Sequence, residues 1–316
     1  MLYRNQNSRA FLPATIIAAA LLAIGLSTLP APHAQAQVTG MKAAPPVPVA
    51  TGPTDEDYRK HVEALRKKLP HDGFTIIIEK PFVVIGDDSP KNVKQWAEGT
   101  VRWAVTQLKK DYFPKNPSRI LDIWLFQNAT SYYKNAQKIF GCKPTTPYGY
   151  YSDVDRALVM NIATGGGTLV HEIVHPFMAA NFPYCPPWLN EGMGSLYEQS
   201  SSRDGKIVGL TNWRLAGLQK AIRAGTVPPF KTLCAADAAK FYNRDPGTNY
   251  AQARYLCYYL QQRGLLRTYY HAFHAVHRAD PTGYETLKKT LGIKTDAEMA
   301  TFQKRWEAWI LTLRFP

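Results

Sequence analysis

The stretch His171-Glu172-Ile173-Val174-His175, followed by Trp188-Leu189-Asn190-Glu191-Gly192, decides how the rest of the chain is interpreted. Residues four apart on a helix leave the same face one turn apart, so His171 and His175 can share one metal ion. Glu172 lies beside that position and could take a proton from a water molecule activated by the metal. With 8 histidines and 24 acidic residues in 316, chance gives such a pattern only about 0.015 times. The stretch predicts hydrolytic metal chemistry on a helix.

The third metal ligand is expected from a second helix. Metzincins carry glycine and histidine where this chain has Met178 and Asn181, which excludes a third histidine in that frame. Pro186-Pro187 is typical of a helix start, and the apolar residues that follow fit a helix packed on the first. Glu191 is the favoured ligand, while Glu198, two turns on, remains a competing ligand or a partner of one. The predicted set for a single zinc ion is His171, His175 and Glu191, with an open fourth position.

Together the two motifs resemble the gluzincin metallopeptidases, and their short spacing resembles the bacterial peptidase MA-like families. The stretches Phe241-Tyr242 and Tyr250-Ala251-Gln252-Ala253-Arg254-Tyr255-Leu256 are similar to the helical part that follows the zinc site in those domains. The resemblance covers about residues 74 to 280. It implies a zincin-like fold, zinc ligands at His171, His175 and Glu191, and Glu172 as the general base.

Two residues depart from the pattern of the resembled enzymes. Pro176 directly follows the second histidine, and Ser195 stands four residues after Glu191, where thermolysin-like enzymes carry an acid. Proline has no amide hydrogen and disfavours helical backbone in the residue before it. Because Phe177 and Met178 continue the apolar pattern, we expect a kinked helix that runs on to about Ala180.

The hydrophobic pattern predicts an α+β fold, with a small mixed sheet before the metal motif and mainly helices after it. The catalytic domain is placed at residues 74–316, with an α/β lobe at 74–165 and a helical lobe at 166–316. Gly165-Gly166-Gly167 lacks dinucleotide-binding spacing and is interpreted as a turn; a pliable edge of the active site is the alternative. The predicted helices are 55–69, 93–108, 131–140, 214–224, 235–242, 250–263, 267–275 and 297–313, and the predicted strands are 75–78, 82–85, 120–126 and 157–161.

Tyr250 and Arg254 lie four residues apart and share a helical face. A phenol or a guanidinium can donate to the oxyanion of a tetrahedral intermediate, so both residues are predicted as catalytic. Packing and a surface charge are the alternative roles. A second histidine group, His271, His274 and His277, drifts around a helix at threefold spacing, so only neighbouring pairs face each other.

The amino terminus is typical of an exported protein. Arg4 and Arg9 precede an apolar run, and Ala34-Gln35-Ala36 has the small-x-small form of a signal-peptidase site. We predict a signal peptide at 1–36, cleavage after Ala36, and a secreted or periplasmic protein without a membrane span. An uncleaved anchor is the alternative. Residues 37–73 are predicted to be a tether rich in proline and alanine, followed by a helix capped by Thr54.

The chain stays basic after this processing. Loss of residues 1–36 removes two arginines and no acid, so the formal net charge falls from +14 to +12. Such a field favours anionic envelope surfaces or acidic substrates over nucleic acid, because the basic residues are scattered and lack interleaved aromatics. A solvated basic surface is the alternative.

Four cysteines, Cys142, Cys185, Cys234 and Cys257, are an even number in a chain predicted to be exported. An even count in an oxidising compartment predicts two disulfides, and we expect Cys142 to pair with Cys185 and Cys234 with Cys257. A buried free thiol is the alternative for Cys257.

The sequence thus predicts an exported zinc metallopeptidase that acts on peptide or protein substrates. One alternative is an envelope-associated zinc-binding protein without turnover. Another is a zinc hydrolase of non-peptide amides or esters. A closed fourth ligand would favour the binding protein, and an open position beside Glu172 favours catalysis.

Overall fold

The computed structural model describes residues 52–315 of the chain. A five-stranded mixed sheet forms the centre of the first half. Its strands lie in the order β1-β2-β3-β5-β4. The central strands β2, β3 and β5 are parallel, whereas β1 and β4 pair antiparallel at the two edges. The strands are β1 (Thr75–Glu79), β2 (Phe82–Gly86), β3 (Leu121–Phe126), β4 (Gly149–Ser152) and β5 (Ala157–Asn161).

Helices cover both faces of this sheet. Those before the metal motif are α1 (Asp55–Arg66), α2 (Pro90–Trp96), α3 (Trp103–Asp111) and α4 (Ala129–Phe140), and a π-helical turn at Ala97–Arg102 joins α2 to α3. Alternate residues of β2 serve different faces, since Val83 and Ile85 pack with α1 and α4, while Phe82 and Val84 pack with the rest of the chain. The core on the side of Phe82 and Val84 continues without interruption from the sheet into the helical half.

The second half is helical apart from one hairpin. It contains α5 (Gly167–Asn181), α6 (Pro187–Leu196), β6 (Ser200–Arg203), β7 (Lys206–Gly209), α7 (Arg214–Arg223), α8 (Phe230–Cys234), α9 (Ala238–Asn243), α10 (Pro246–Gln262), α11 (Leu266–Val276), α12 (Tyr284–Thr290) and α13 (Asp296–Thr312). A mixed α+β architecture is therefore confirmed. Among the described residues, no helix is long and apolar enough to cross a membrane.

The structure moves the start of the folded unit. Thr54 caps α1 as predicted, its side chain accepting the Asp57 amide while the Asp57 carboxylate accepts the Thr54 amide. Tyr58 and Leu65 of α1 pack on the sheet against Trp124 and its neighbours. Because α1 belongs to this core, the unit begins ahead of the predicted boundary at residue 74. The predicted signal peptide and the first part of the tether, residues 1–51, lie outside the described residues.

The secondary-structure predictions were wrong mainly where a cap or a tight turn sets the end of a helix or strand. The helix expected at 235–242 begins later, as α9 at Ala238, because Asp237 caps it by accepting a hydrogen bond from the Lys240 amide; the short helix α8 that precedes it was not predicted. The β6–β7 hairpin was not predicted, although Asp204-Gly205, with φ values of 52° and 67°, is a typical hairpin turn. The edge strand β4 and helix α12 were also missed.

The two predicted disulfides are absent, and all four cysteines are free thiols. Cys257 is fully buried where α10 meets α6, and a Cβ atom added to Gly192 would lie 2.9 Å from its Sγ. Cys234 is buried in the same core. These two thiols act as small apolar packing groups, so the count of cysteines alone was a poor guide.

Candidate metal centre

Helix α5 carries the motif into the core. His171, Glu172 and His175 are all buried, with exposed fractions of 1%, 3% and 4%. The helix continues through Pro176 to Asn181, as the apolar pattern predicted. Proline costs only the hydrogen bond to the carbonyl of Glu172, and both histidines precede it, so the one-turn spacing of the imidazoles is kept.

Helix α6 brings Glu191 to these histidines. Pro187 occupies its first turn, where a missing amide hydrogen costs nothing. Two glycines allow close packing: a Cβ atom on Gly194 would lie 3.2 Å from the His171 ring, and one on Gly192 would lie 3.0 Å from the carbonyl oxygen of Ala253 on α10. The small residues on α6 therefore let it lie directly between α5 and α10.

Three side-chain atoms converge between α5 and α6. Glu191 Oε2 lies 3.2 Å from His171 Nε2 and 3.8 Å from His175 Nε2. All three potential ligand atoms lie within 4.8 Å of one another. Zinc bonds of about 2.1 Å in a tetrahedral site place ligand atoms about 3.4 Å apart. Two nitrogens and one carboxylate oxygen at these separations fit a divalent metal ion.

Each of the three residues is also held on its far side. The Nδ1 atom of His175 lies 3.1 Å from Asn190 Oδ1, and the Tyr242 hydroxyl donates to Glu191 Oε1 over 2.7 Å. The Nδ1 atom of His171 lies 3.0 Å from Glu198 Oε1, an ion-pair distance without the alignment of a good hydrogen bond. Such outer partners fix the ring orientation and leave the Nε2 atoms to face a metal.

Glu198 serves as a partner of His171, because it stands on the Nδ1 side of that ring. Both carboxylate oxygens are engaged: Arg214 donates through Nη2 over 2.8 Å and through Nε over 3.1 Å. Asn212 Nδ2 donates to the same group over 3.1 Å. Ser195, at the position of the acid in thermolysin-like enzymes, donates instead to the backbone carbonyl of Glu191. The acidic partner thus comes from seven residues after Glu191 rather than four.

The electrostatics favour a cation at this point. Burial raises the pKa of Glu191, but the facing His175 and His171 outweigh it and bring the value down to about 2. Burial lowers the pKa of His171, yet Glu191 and Glu198 raise it to about 10. The buried carboxylate of Glu191 therefore attracts positive charge to the point where the two imidazoles face it, and a metal ion would supply that charge. Burial raises the pKa of Glu172, against the pull of both histidines.

The two predicted oxyanion donors occupy different surroundings. Tyr250 is buried beside the centre, with ring centroids 5.3 Å from Phe241 and 6.2 Å from Tyr242. Arg254 is fully buried and donates through Nε and Nη2 to the backbone carbonyls of Ser195, Leu196 and Leu210. The structure brings Tyr250 to the edge of the centre and directs Arg254 to the last turn of α6 and to Leu210 after β7.

Sequence reasoning gave no role to Asn190, Tyr242 or Arg214. Asn190 directly precedes Glu191, so only its contact with His175 reveals its role. Tyr242 and Arg214 reach the centre from α9 and α7, at distances along the chain that no local pattern encodes. The stretch Phe241-Tyr242 contributed to the family resemblance, and this was the one available signal for Tyr242.

Comparison of the whole chain with known proteins adds no assignment. No protein-family model matches the sequence, and no curated protein matches it either. The resemblance to gluzincins therefore rests on the residues of the two motifs and the helical part after them.

Proposed function

We propose that the protein is an exported zinc metallopeptidase of the gluzincin type with a zincin-like fold. One observation carries the proposal: His171 Nε2, His175 Nε2 and Glu191 Oε2 converge, with Glu172 buried on the same helix. Two histidines and one glutamate are a donor set of catalytic zinc sites, which keep three protein ligands and one open position. When bound, zinc would act as a Lewis acid toward a carbonyl and lower the pKa of a water molecule.

The residues of the chain then have distinct roles in peptide hydrolysis. Glu172 takes a proton from the attacking water at its carboxylate and returns it to the leaving amine. Its raised pKa helps in the first step, because a carboxylate whose conjugate acid has a higher pKa is a stronger base and takes the proton more readily. Tyr250, whose pKa burial raises far above its usual value, stays protonated and can donate to the oxyanion. Arg254 holds the last turn of α6 and so supports the position of Glu191 on the same helix.

Metal content and peptide cleavage test this proposal together. The mature protein is expected to hold one zinc ion and to cleave members of a mixed peptide library. Glu172→Gln should keep the metal and lose about 10²- to 10⁴-fold in kcat, because only the proton transfer is removed. Glu191→Ala should lose the metal. Absence of zinc from the wild type would sink the proposal.

The two alternative functions predict different results in this same experiment. A protein that binds zinc and cleaves neither peptides nor simple amides and esters would be the envelope-associated binding protein. Cleavage confined to non-peptide amides or esters would indicate the second alternative. The three-residue donor set supports an enzyme, since structural zinc sites are closed by four protein ligands.

Export of the protein is supported by its amino terminus alone. Arg4, Arg9 and the apolar run before Ala34-Gln35-Ala36 have the order of a signal peptide. Sequencing of the mature amino terminus should find Gln37 first. An intact Met1 in the mature protein would contradict cleavage and favour the anchor.

A further inference from the structure

A cavity of about 410 Å³ opens next to the metal centre, on the outer side of Glu198. We call it the glycine cavity, and it is lined by Tyr148, Thr164, Gly165, Gly166, Gly167, Thr168, Glu198, Gln199, Asn212, Trp213 and Arg214. Glu198 is shared by the two sites, since the carboxylate that lines the cavity lies 3.0 Å from His171. Its volume suits a fragment of a substrate. A ligand in this cavity would thus lie one side chain away from the centre.

The first turn of α5 forms one wall of the glycine cavity. The first backbone hydrogen bond of this helix joins the Val170 amide to the Gly166 carbonyl, so the amides of Gly167 and Thr168 have no partner inside the helix. No side chain caps this end of the helix. Gly167 is required by packing, because a Cβ atom there would lie 2.3 Å from the carbonyl oxygen of Glu198. Unpaired amides at a helix start attract anions.

Arg214 supplies an independent donor in the same cavity. Its side chain is more than nine-tenths buried, held at Nε and Nη2 by Glu198. Its guanidinium lies 4.2 Å from the Trp213 ring centroid and 5.0 Å from that of Tyr250. Within residues 52–315, Nη1 of this buried and fixed group donates to no protein atom. Arg214 and Glu198 are the charged residues of the lining, and both Glu198 oxygens already accept hydrogen bonds, so the guanidinium is the charged group of the lining that keeps a donor for a ligand.

Two exposed aromatic residues flank these donors. Trp213 is 60% exposed and Tyr148 is 49% exposed, and both line the glycine cavity. Exposed large aromatic rings at a cavity are apolar contact surface for a ligand. Amide and guanidinium donors beside aromatic rings match a group that combines an anion with an apolar body.

We propose that the glycine cavity is a subsite for a substrate carboxylate, bound by the first-turn amides of α5 and by Nη1 of Arg214. The apolar part of the same substrate residue lies against Tyr148 and Trp213. That this carboxylate belongs to a substrate rests on the proposed function, whereas the binding of a carboxylate in the cavity does not. The carboxylate belongs either to the carboxyl terminus of a peptide or to an acidic side chain.

Binding of small carboxylate probes to the metal-free mature protein tests the subsite without hydrolysis. Removal of the metal also prevents the probe from ligating zinc directly. The probes are N-acetyl-phenylalanine, its amide, and the α-amide of N-acetyl-aspartic acid, with dissociation constants from calorimetry. The acid is expected to bind about tenfold more tightly than its amide, because charge-assisted hydrogen bonds are lost with the charge. Equal affinities of acid and amide overturn the proposal. Tight binding of the aspartate probe assigns the subsite to acidic side chains, and weak binding assigns it to the carboxyl terminus.

A pair of variants at Thr168 places the anion. Thr168→Asp introduces a carboxylate at the helix start, where it should occupy the free amides and abolish the preference for acid over amide. Thr168→Asn has the same shape without the charge and should keep that preference. Retention of the full preference in Thr168→Asp contradicts the assigned position. A protein that binds the acid and cleaves no peptide retains the subsite and loses only the proposed peptidase function.

Discussion

Histidines recur at helical spacing in two regions of this molecule, on α5 and on α11, and the two regions differ in their surroundings. On α5, His171 and His175 are buried and face Glu191. On α11, His271 and His274 are exposed, and His274 stacks on His277 with ring centroids 6.0 Å apart. The His277 ring nitrogen Nδ1 contacts the backbone carbonyl of His274 rather than a carboxylate.

The difference lies in the partner helix. Spacing brings two imidazoles together in both regions, but within residues 52–315 only the pair on α5 has a buried carboxylate oxygen placed against both rings. That carboxylate is close enough because α6 has glycines where α5 and α10 approach it. Metal affinity therefore depends on packing as much as on spacing.

The largest expected effect is the loss of zinc when a histidine of α5 is replaced, whereas replacement of a histidine of α11 should leave the zinc in place. His175→Ala removes one of three ligands, so zinc should fall below detection after dialysis against a metal-free buffer. His274→Ala is the matched control and should retain one zinc ion per chain. Elemental analysis measures both. Loss of zinc in the control, or retention in His175→Ala, would break the comparison.

The second-largest expected effect is a fall in the free energy of unfolding when the metal is removed. A ligand present at 1,000 times its Kd stabilises the native state by about 4 kcal/mol, provided that the unfolded chain does not bind it. Thermal denaturation with and without a chelator should show this loss in the wild type and none in His175→Ala. Identical melting curves for the two forms of the wild type would mean that the buried carboxylates need no cation.

Tyr242→Phe should weaken the metal site by a smaller factor. The hydroxyl holds Glu191 Oε1 at 2.7 Å, so its removal frees the carboxylate to rotate. Loss of such a partner lowers metal affinity about 10- to 100-fold. Competition with a zinc chelator measures it. Tyr184→Phe, at an exposed tyrosine stacked on His277, is the control and should leave the affinity unchanged. An equal affinity in both variants would remove Tyr242 from the site.

The smallest effects concern two helical glycines. Gly194→Ala places a methyl group 3.2 Å from the His171 ring and should cost about 1–3 kcal/mol of unfolding free energy through overpacking. Gly217→Ala on α7 meets nothing within 4 Å and should stabilise by about 0.5–1 kcal/mol through helix propensity. Chemical denaturation measures both. A neutral Gly194→Ala would mean that α6 can move away without cost.

Local patterns predicted much of the fold. The alternation and apolar runs located β1, β2, β3 and β5, and Thr54 marked the start of α1. Helix and strand periods are properties of adjacent residues, so a sequence contains them directly. The missed elements were short, and β4 with its four residues has too few positions to show a period.

The spacing along the sequence identified His171, Glu172 and His175 as one group, because a helix places residues four apart on one face whatever surrounds it. Glu191 also came from the sequence, through the motif that follows. Tertiary structure alone decided the roles of Tyr242, Glu198 and Arg214 around them. Their contacts join α6, α7 and α9 across long stretches of chain, and such contacts depend on how helices pack, which no periodicity encodes. Packing also directed Arg254 to backbone carbonyls, where helical spacing alone had placed it beside Tyr250.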